Sequence, residues 1–265
     1  MQHTTSEASL VQSAMAWQFS PAEVAAKAGA IYRQVLAEST ALDAGNFSAI
    51  SPADLARMFE LYDAGFFEGA LRSAVDREAG GRLKFRFSRR MTSVGGTTTR
   101  FRHRSPPGQP PKTSYEIAVS STLLFQSFAD LERSVLVNGI ECRDRLEALQ
   151  RIFEHELLHL LEMLAWGHSS CAGSNYRLLA RRVFAHPEVK HQLVTQRERA
   201  LTRHQIRVGE RVSFDYEGEH LSGVVNRITR RATVLVERAD GAPYTDGKRY
   251  AKYYIPLLML RKASD

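Results

Sequence analysis

From Arg143 to Trp166 apolar residues recur so densely that the stretch reads as one continuous helix, apolar nearly all round and therefore buried. Gly167 follows as its stop. Two helices are predicted upstream. Ser20-Pro21-Ala22-Glu23 combines a capping box with proline at the first helical position, so a helix starts there and runs through Glu38. A second begins at Ser51-Pro52 and sets Leu55, Met58, Phe59, Tyr62 and Phe66 at helical spacing. The period then changes to two. Leu83, Phe85 and Phe87 alternate with polar residues as on a strand. Gly95-Gly96, followed by threonines, predicts a turn into a second strand. Residues 114–121 read as a third strand. The four prolines between 105 and 112 forbid regular structure there.

Residues 120–136 read as a short helix and its exit, Ser174–Phe184 as another helix, and 187–205 as a polar helical connector. Beyond Val208 the texture switches again. Four short β-like runs, separated by Gly, Asp and Pro, predict a small all-β barrel. Residues 1–19 are expected to be disordered, the first ~15 being polar and aperiodic. The chain therefore divides into a disordered start (1–19), an α+β domain with a small antiparallel sheet (20–205) and the barrel (206–265).

A chain of 265 residues with 43% hydrophobic content can bury a substantial core. Its start lacks a basic region followed by an apolar run, and no stretch of about 18 uncharged apolar residues occurs. Two cysteines, Cys142 and Cys171, make no disulfide framework. A soluble, cytoplasmic protein with no membrane contact is expected. The formal charge of +7 and pI near 9.6, with arginines clustered at 89–90, 100–104, 181–182 and 227–231, favour contact with DNA or RNA. A solvated basic surface is the plainer explanation.

The buried helix carries His-Glu-Leu-Leu-His. His155 and His159 lie four residues apart, so both imidazoles leave one face and can share an ion. Glu156 can then reach a metal-bound water and act as general base, while Zn2+ lowers that water's pKa and polarises a carbonyl. By composition the pattern arises in roughly one or two chains of this size per hundred, so its burial matters more than its occurrence. The alternative is two core histidines bonded to backbone or to Glu154 or Glu162.

Four stretches in this order carry a resemblance: residues 61–71 (LYDAGFFEGAL), 87–98 (FSRRMTSVGGTT), 115–124 (YEIAVSSTLL) and 153–164 (FEHELLHLLEML). Together, over about residues 55–185, they resemble the SprT-like (Spartan-type) zinc metallopeptidases. The resemblance implies a zincin-like core with an active-site helix, a protein substrate, and an association with DNA-bound proteins. Relatives place a third histidine, then glycine and an aromatic residue, in the loop after the helix. Here that position is Ala172, while Gly173 and Tyr176 keep the frame. Cys171 stands one residue earlier and is favoured as third ligand, since Cys with two His is a known catalytic zinc set. His168 is the alternative, and His186 or His191 are more distant ones, although their spacing across Pro187 reads more easily as structural.

The C-terminal runs resemble SH3-like barrels of the KOW and Tudor type. Arg227, Arg230 and Arg231, with Tyr250, Tyr253 and Tyr254, would supply phosphate contacts and stacking faces. Equally, such tyrosines pack a small core and the arginines are merely solvated. The rival to a peptidase is a non-catalytic nucleic-acid-binding protein with a structural zinc.

Overall fold

In the computed structural model, which describes residues 3–104, 112–128 and 133–263, helices begin where their capping residues stand. The first unit, up to Leu193, runs α1 (His3–Ala16), α2 (Pro21–Glu38), α3 (Pro52–Phe66), α4 (Ala70–Ala79), β1 (Leu83–Ser88), β2 (Gly96–His103) and β3 (Lys112–Ser120). It continues with α5 (Ser121–Ser127), β4 (Val135–Val137), β5 (Ile140–Cys142), α6 (Arg145–Trp166) and α7 (Ser174–Phe184). The second unit, from Val194, holds α8 (Gln196–His204), β6 (Arg211–Tyr216), β7 (Glu219–Ile228), β8 (Ala232–Pro243), β9 (Arg249–Ile255) and β10 (Arg261–Lys262). The class is α+β. Among the described residues no helix is long and apolar enough to cross a membrane.

At α2, Glu23 N donates to Ser20 Oγ and Ser20 N donates to Glu23 Oε2, closing the expected box. Asp144 caps α6 by accepting from Glu147 N at 2.9 Å. Gly167 ends α6 in the left-handed region, φ 74°, which favours glycine. The helix is buried along most of its length, and α1, α2, α4, α5, α7 and the sheet all pack on it.

The expected disorder of residues 1–19 is corrected. Leu10, Ala14 and Trp17 are buried in the main core, and Trp17 meets Phe67 edge-on at 5.1 Å. So few apolar residues give α1 little periodicity of its own; tertiary packing orders it.

The small sheet is mixed, not antiparallel. Its order is β1-β3-β2, with β1 parallel and β2 antiparallel to β3. Residues 89–95 are no hairpin turn. They cross the end of β3, held by Ser120 Oγ donating to Met91 O, Thr122 Oγ1 donating to Arg89 O and Ser120 N donating to Gly95 O. The crossing delivers β2 to the far edge of the sheet, beside α6. The proline-rich stretch at 105–111 and residues 129–132 lie outside the described residues.

Two further corrections concern the connections. The exit expected after α5 contains a hairpin, β4–β5, turned by Asn138-Gly139 with φ 54° and 78°. Residues 188–192 join it: Asn138 N donates to Lys190 O, Gln192 N donates to Leu136 O, and Val137 bridges His191. The connector at 187–205 is therefore extended at first and helical only in α8. Ala200 and Ile206 pack with the C-terminal core, so the division falls at 193/194 and not at 205/206.

The second unit is a five-stranded antiparallel sheet, β10-β6-β7-β8-β9, around Val212, Phe214, Val225, Val234 and Ile255. It is not the closed barrel that the sequence predicts. Pro256 and a 3₁₀ turn at Leu257–Met259 separate β9 from a two-residue β10, which pairs only with β6.

Candidate metal centre

His155 and His159, one turn apart on α6, turn their Nε2 atoms toward each other at 3.1 Å. Two nitrogens on one tetrahedral zinc, each at about 2.0–2.1 Å, would stand roughly 3.3 Å apart. Burial lowers both imidazoles, His155 to about 3 and His159 to about 4, with the neighbouring histidines adding to the effect at His155. Both are thus neutral near pH 7, as metal ligation requires.

The tautomer of His159 follows from its partners. Ser169 Oγ donates its one proton to Glu162 Oε2 at 2.5 Å, so it can only accept from His159 Nδ1, 2.6 Å away. The His159 proton is therefore on Nδ1 and the Nε2 lone pair faces His155 Nε2. Ser170 N also donates to Glu162 Oε2. Glu162 thereby fixes both the loop and the ring.

The loop after Gly167 brings Cys171 to this pair. One ligand atom from each of His155, His159 and Cys171 lies within 4.8 Å of the others. No other such group of three acidic, histidine or cysteine residues occurs among the described residues. Two neutral imidazoles and a thiol suit zinc, and three protein ligands leave a coordination position open. His168 lies outside this cluster; it is exposed, and its Nδ1 is 2.9 Å from Trp166 O. Tyr176, carried by α7, buries its ring against His155 at 5.0 Å and His159 at 4.7 Å, and its hydroxyl donates to His155 O.

Glu156 leaves the same turn of helix and is almost wholly buried. Burial raises its carboxyl to about 8, against a hydrogen bond with Thr98 that lowers it. Thr98 Oγ1 is 2.8 Å from Glu156 Oε2 and 2.9 Å from Glu156 O. The hydroxyl has one proton, which it donates to the carboxyl oxygen or shares between the two acceptors. Gly96 makes room: a Cβ there would stand 2.6 Å from Glu156 Oε1. A cavity of about 550 Å³ opens over these groups, between the start of β2 and the 189–191 segment. His191 ties the two walls, because its Nε2 accepts from Gly95 N at 2.9 Å.

Glu154 faces away from the pair. Burial alone would raise its carboxyl, but Arg151, His186 and Tyr62 hold it below the usual value. His186 is thus a structural partner of Glu154, and neither Glu154 nor Glu162 touches His155 directly. Ser169 and Thr98 were not recognisable from the sequence as site residues, and His191, a distant candidate ligand there, instead holds Gly95. Each is placed by a loop or strand distant in sequence from its partner, except Ser169, whose serine carries no pattern to distinguish it.

In the second unit Arg227, Thr233 and Tyr254 lie in one row across β7, β8 and β9. Arg230 and Arg231 are exposed in the turn between β7 and β8. Tyr254 is 61% exposed, whereas Tyr253 packs on Phe214 and Tyr216, and Tyr250 donates to Asp246 beside Tyr244. Only Tyr254 of the three offers an open ring.

No protein-family model, curated protein or solved structure matches the chain.

Proposed function

We propose that the chain is a zinc-dependent peptidase of the SprT-like kind, hydrolysing protein substrates. The observation that carries this reading is the meeting, in one cavity, of a three-donor cluster with a buried carboxyl that no cation pairs. His155, His159 and Cys171 would hold the ion. Zinc bound there supplies Lewis acidity, polarising the peptide carbonyl and making water acidic enough to attack it. Glu156, ionised once a cation stands beside it, takes the water's proton and passes it to the leaving amine. Thr98 orients that carboxylate, and Ser169 with Glu162 keeps the His159 lone pair in place. The outer edge of β2 offers backbone groups to an extended substrate, the geometry of strand addition.

A structural zinc in a nucleic-acid-binding protein is the second reading, favoured by the Arg227–Tyr254 row. Such sites usually close with four protein ligands, and the cluster here has three. The deciding experiment compares the zinc-loaded protein with Glu156→Gln, measuring zinc stoichiometry and cleavage of an unfolded protein. Zinc should remain and cleavage should vanish. Full activity in the variant would refute the mechanism.

A further inference from the structure

A second cavity, of about 370 Å³, adjoins the first. Val189 and Lys190 line both, so the two cavities are neighbours along the 188–192 segment. Arg177 and Arg181, four residues apart on α7, share one face of that helix, and Lys190 approaches from the 188–192 wall. None of the three has an ion-pair partner among the described residues. One carboxylate, Glu188, also lines the cavity, and the cations outnumber it three to one. Like charges at this spacing repel, and a concave wall concentrates their field. The arrangement is complementary to an anion.

We infer that Arg177, Arg181 and Lys190 form a specificity subsite for an acidic side chain of the polypeptide under cleavage. The inference rests on the peptidase reading above. Its register to the chemistry is fixed by α7 itself: Tyr176, whose ring lies on both helical histidines, immediately precedes Arg177. These three cations line one concave site, while a nucleic-acid strand needs a cationic track along several phosphates. The guanidinium forks suit a carboxylate, which they can bind through two parallel hydrogen bonds.

The test uses the zinc-loaded full chain and paired fluorogenic peptides that differ only in Glu or Gln at single positions near the scissile bond. At one position Glu should be preferred by at least ~10-fold in kcat/KM, mostly through KM. Arg181→Glu leaves two cations against two carboxylates and should abolish the preference, whereas Arg181→Lys should keep most of it, a split that mere structural damage would not produce. Equal cleavage of all Glu and Gln pairs by the wild type would overturn the subsite and leave the peptidase reading intact. A binding arm needs no catalysis: Glu156→Gln protein is titrated into labelled Glu and Gln peptides by fluorescence anisotropy. Tighter binding of the Glu peptide, lost on adding Arg181→Glu, would uphold the subsite even if the wild type cleaves nothing. Equal binding of both peptides, with a labelled single-stranded oligonucleotide released by Arg181→Glu instead, would assign the cations to nucleic acid and overturn the inference.

Discussion

Glu156→Gln should make the metal-free protein more stable, and increasingly so as pH rises. The carboxyl has an ordinary value of 4.5 and is raised to about 8 in the fold by burial. Below pH 4.5 both the folded and the unfolded chain hold the proton, and nothing is lost. Between 4.5 and 8 the unfolded chain releases it while the folded chain keeps it, so unfolding becomes easier with every pH unit. At roughly 1.4 kcal/mol per pH unit, the loss near pH 8 is on the order of 4 kcal/mol. Glutamine has no such slope, and its amide oxygen can accept from Thr98 Oγ1 as the carboxyl oxygen does. It also keeps the shape that Gly96 accommodates. His155 and His159 impose a slope of their own: each is depressed in the fold, so its share of stability is full above 6.5 and falls as pH drops toward about 4 and 3. Both proteins carry it, and it cancels in the difference. Urea denaturation of chelator-treated protein at pH 5, 6.5 and 8 measures the gap. It should widen with pH, and zinc should narrow it by favouring the ionised carboxylate. Parallel pH profiles, or a less stable variant at pH 8, would refute the reasoning.

Cys171→Ala should lower zinc affinity far more than His168→Ala in competition against a chelator. Cobalt-substituted wild type should show a sulfur-to-metal charge-transfer band that Cys171→Ala removes. Ser169→Ala deprives His159 Nδ1 of its partner and should weaken zinc binding by ~10- to 100-fold, read in the same competition. Trp17→Ala should destabilise the fold by about 3–5 kcal/mol in denaturant titration; an unchanged midpoint would refute the packing of Trp17 against Phe67.

The parts legible in the sequence are those governed by local chemistry. The Ser20–Glu23 box, the Gly167 stop and the apolar density of α6 are properties of neighbouring residues, and so is the His155–Glu156–His159 face. Asn138-Gly139 is a turn signal between apolar residues, but strands of three residues each carry too little alternation to announce a hairpin. What depends on distant partners was not readable. The order of the β1-β3-β2 sheet comes from how residues 89–95 cross β3, which no periodicity records. Barrel closure likewise depends on whether β9 and β10 meet. The Glu162–Ser169–His159 relay requires the Gly167 turn to reverse the chain onto its own helix, so only the folded loop reveals it.

The three candidate ligands all belong to one helix and the loop that follows it, whereas the groups that govern Glu156, Thr98 and Gly96, arrive from a strand far earlier in the chain. Gathering His155, His159 and Cys171 requires closing only a short loop, at small entropic cost. Gathering Thr98 onto Glu156 requires a contact of high sequence separation, formed when the sheet docks. Metal capture and competence of the base are therefore separate events in folding. On the peptidase reading, a nascent or partly unfolded chain would take up metal before it could hydrolyse anything, and zinc content by itself would be no measure of an assembled site.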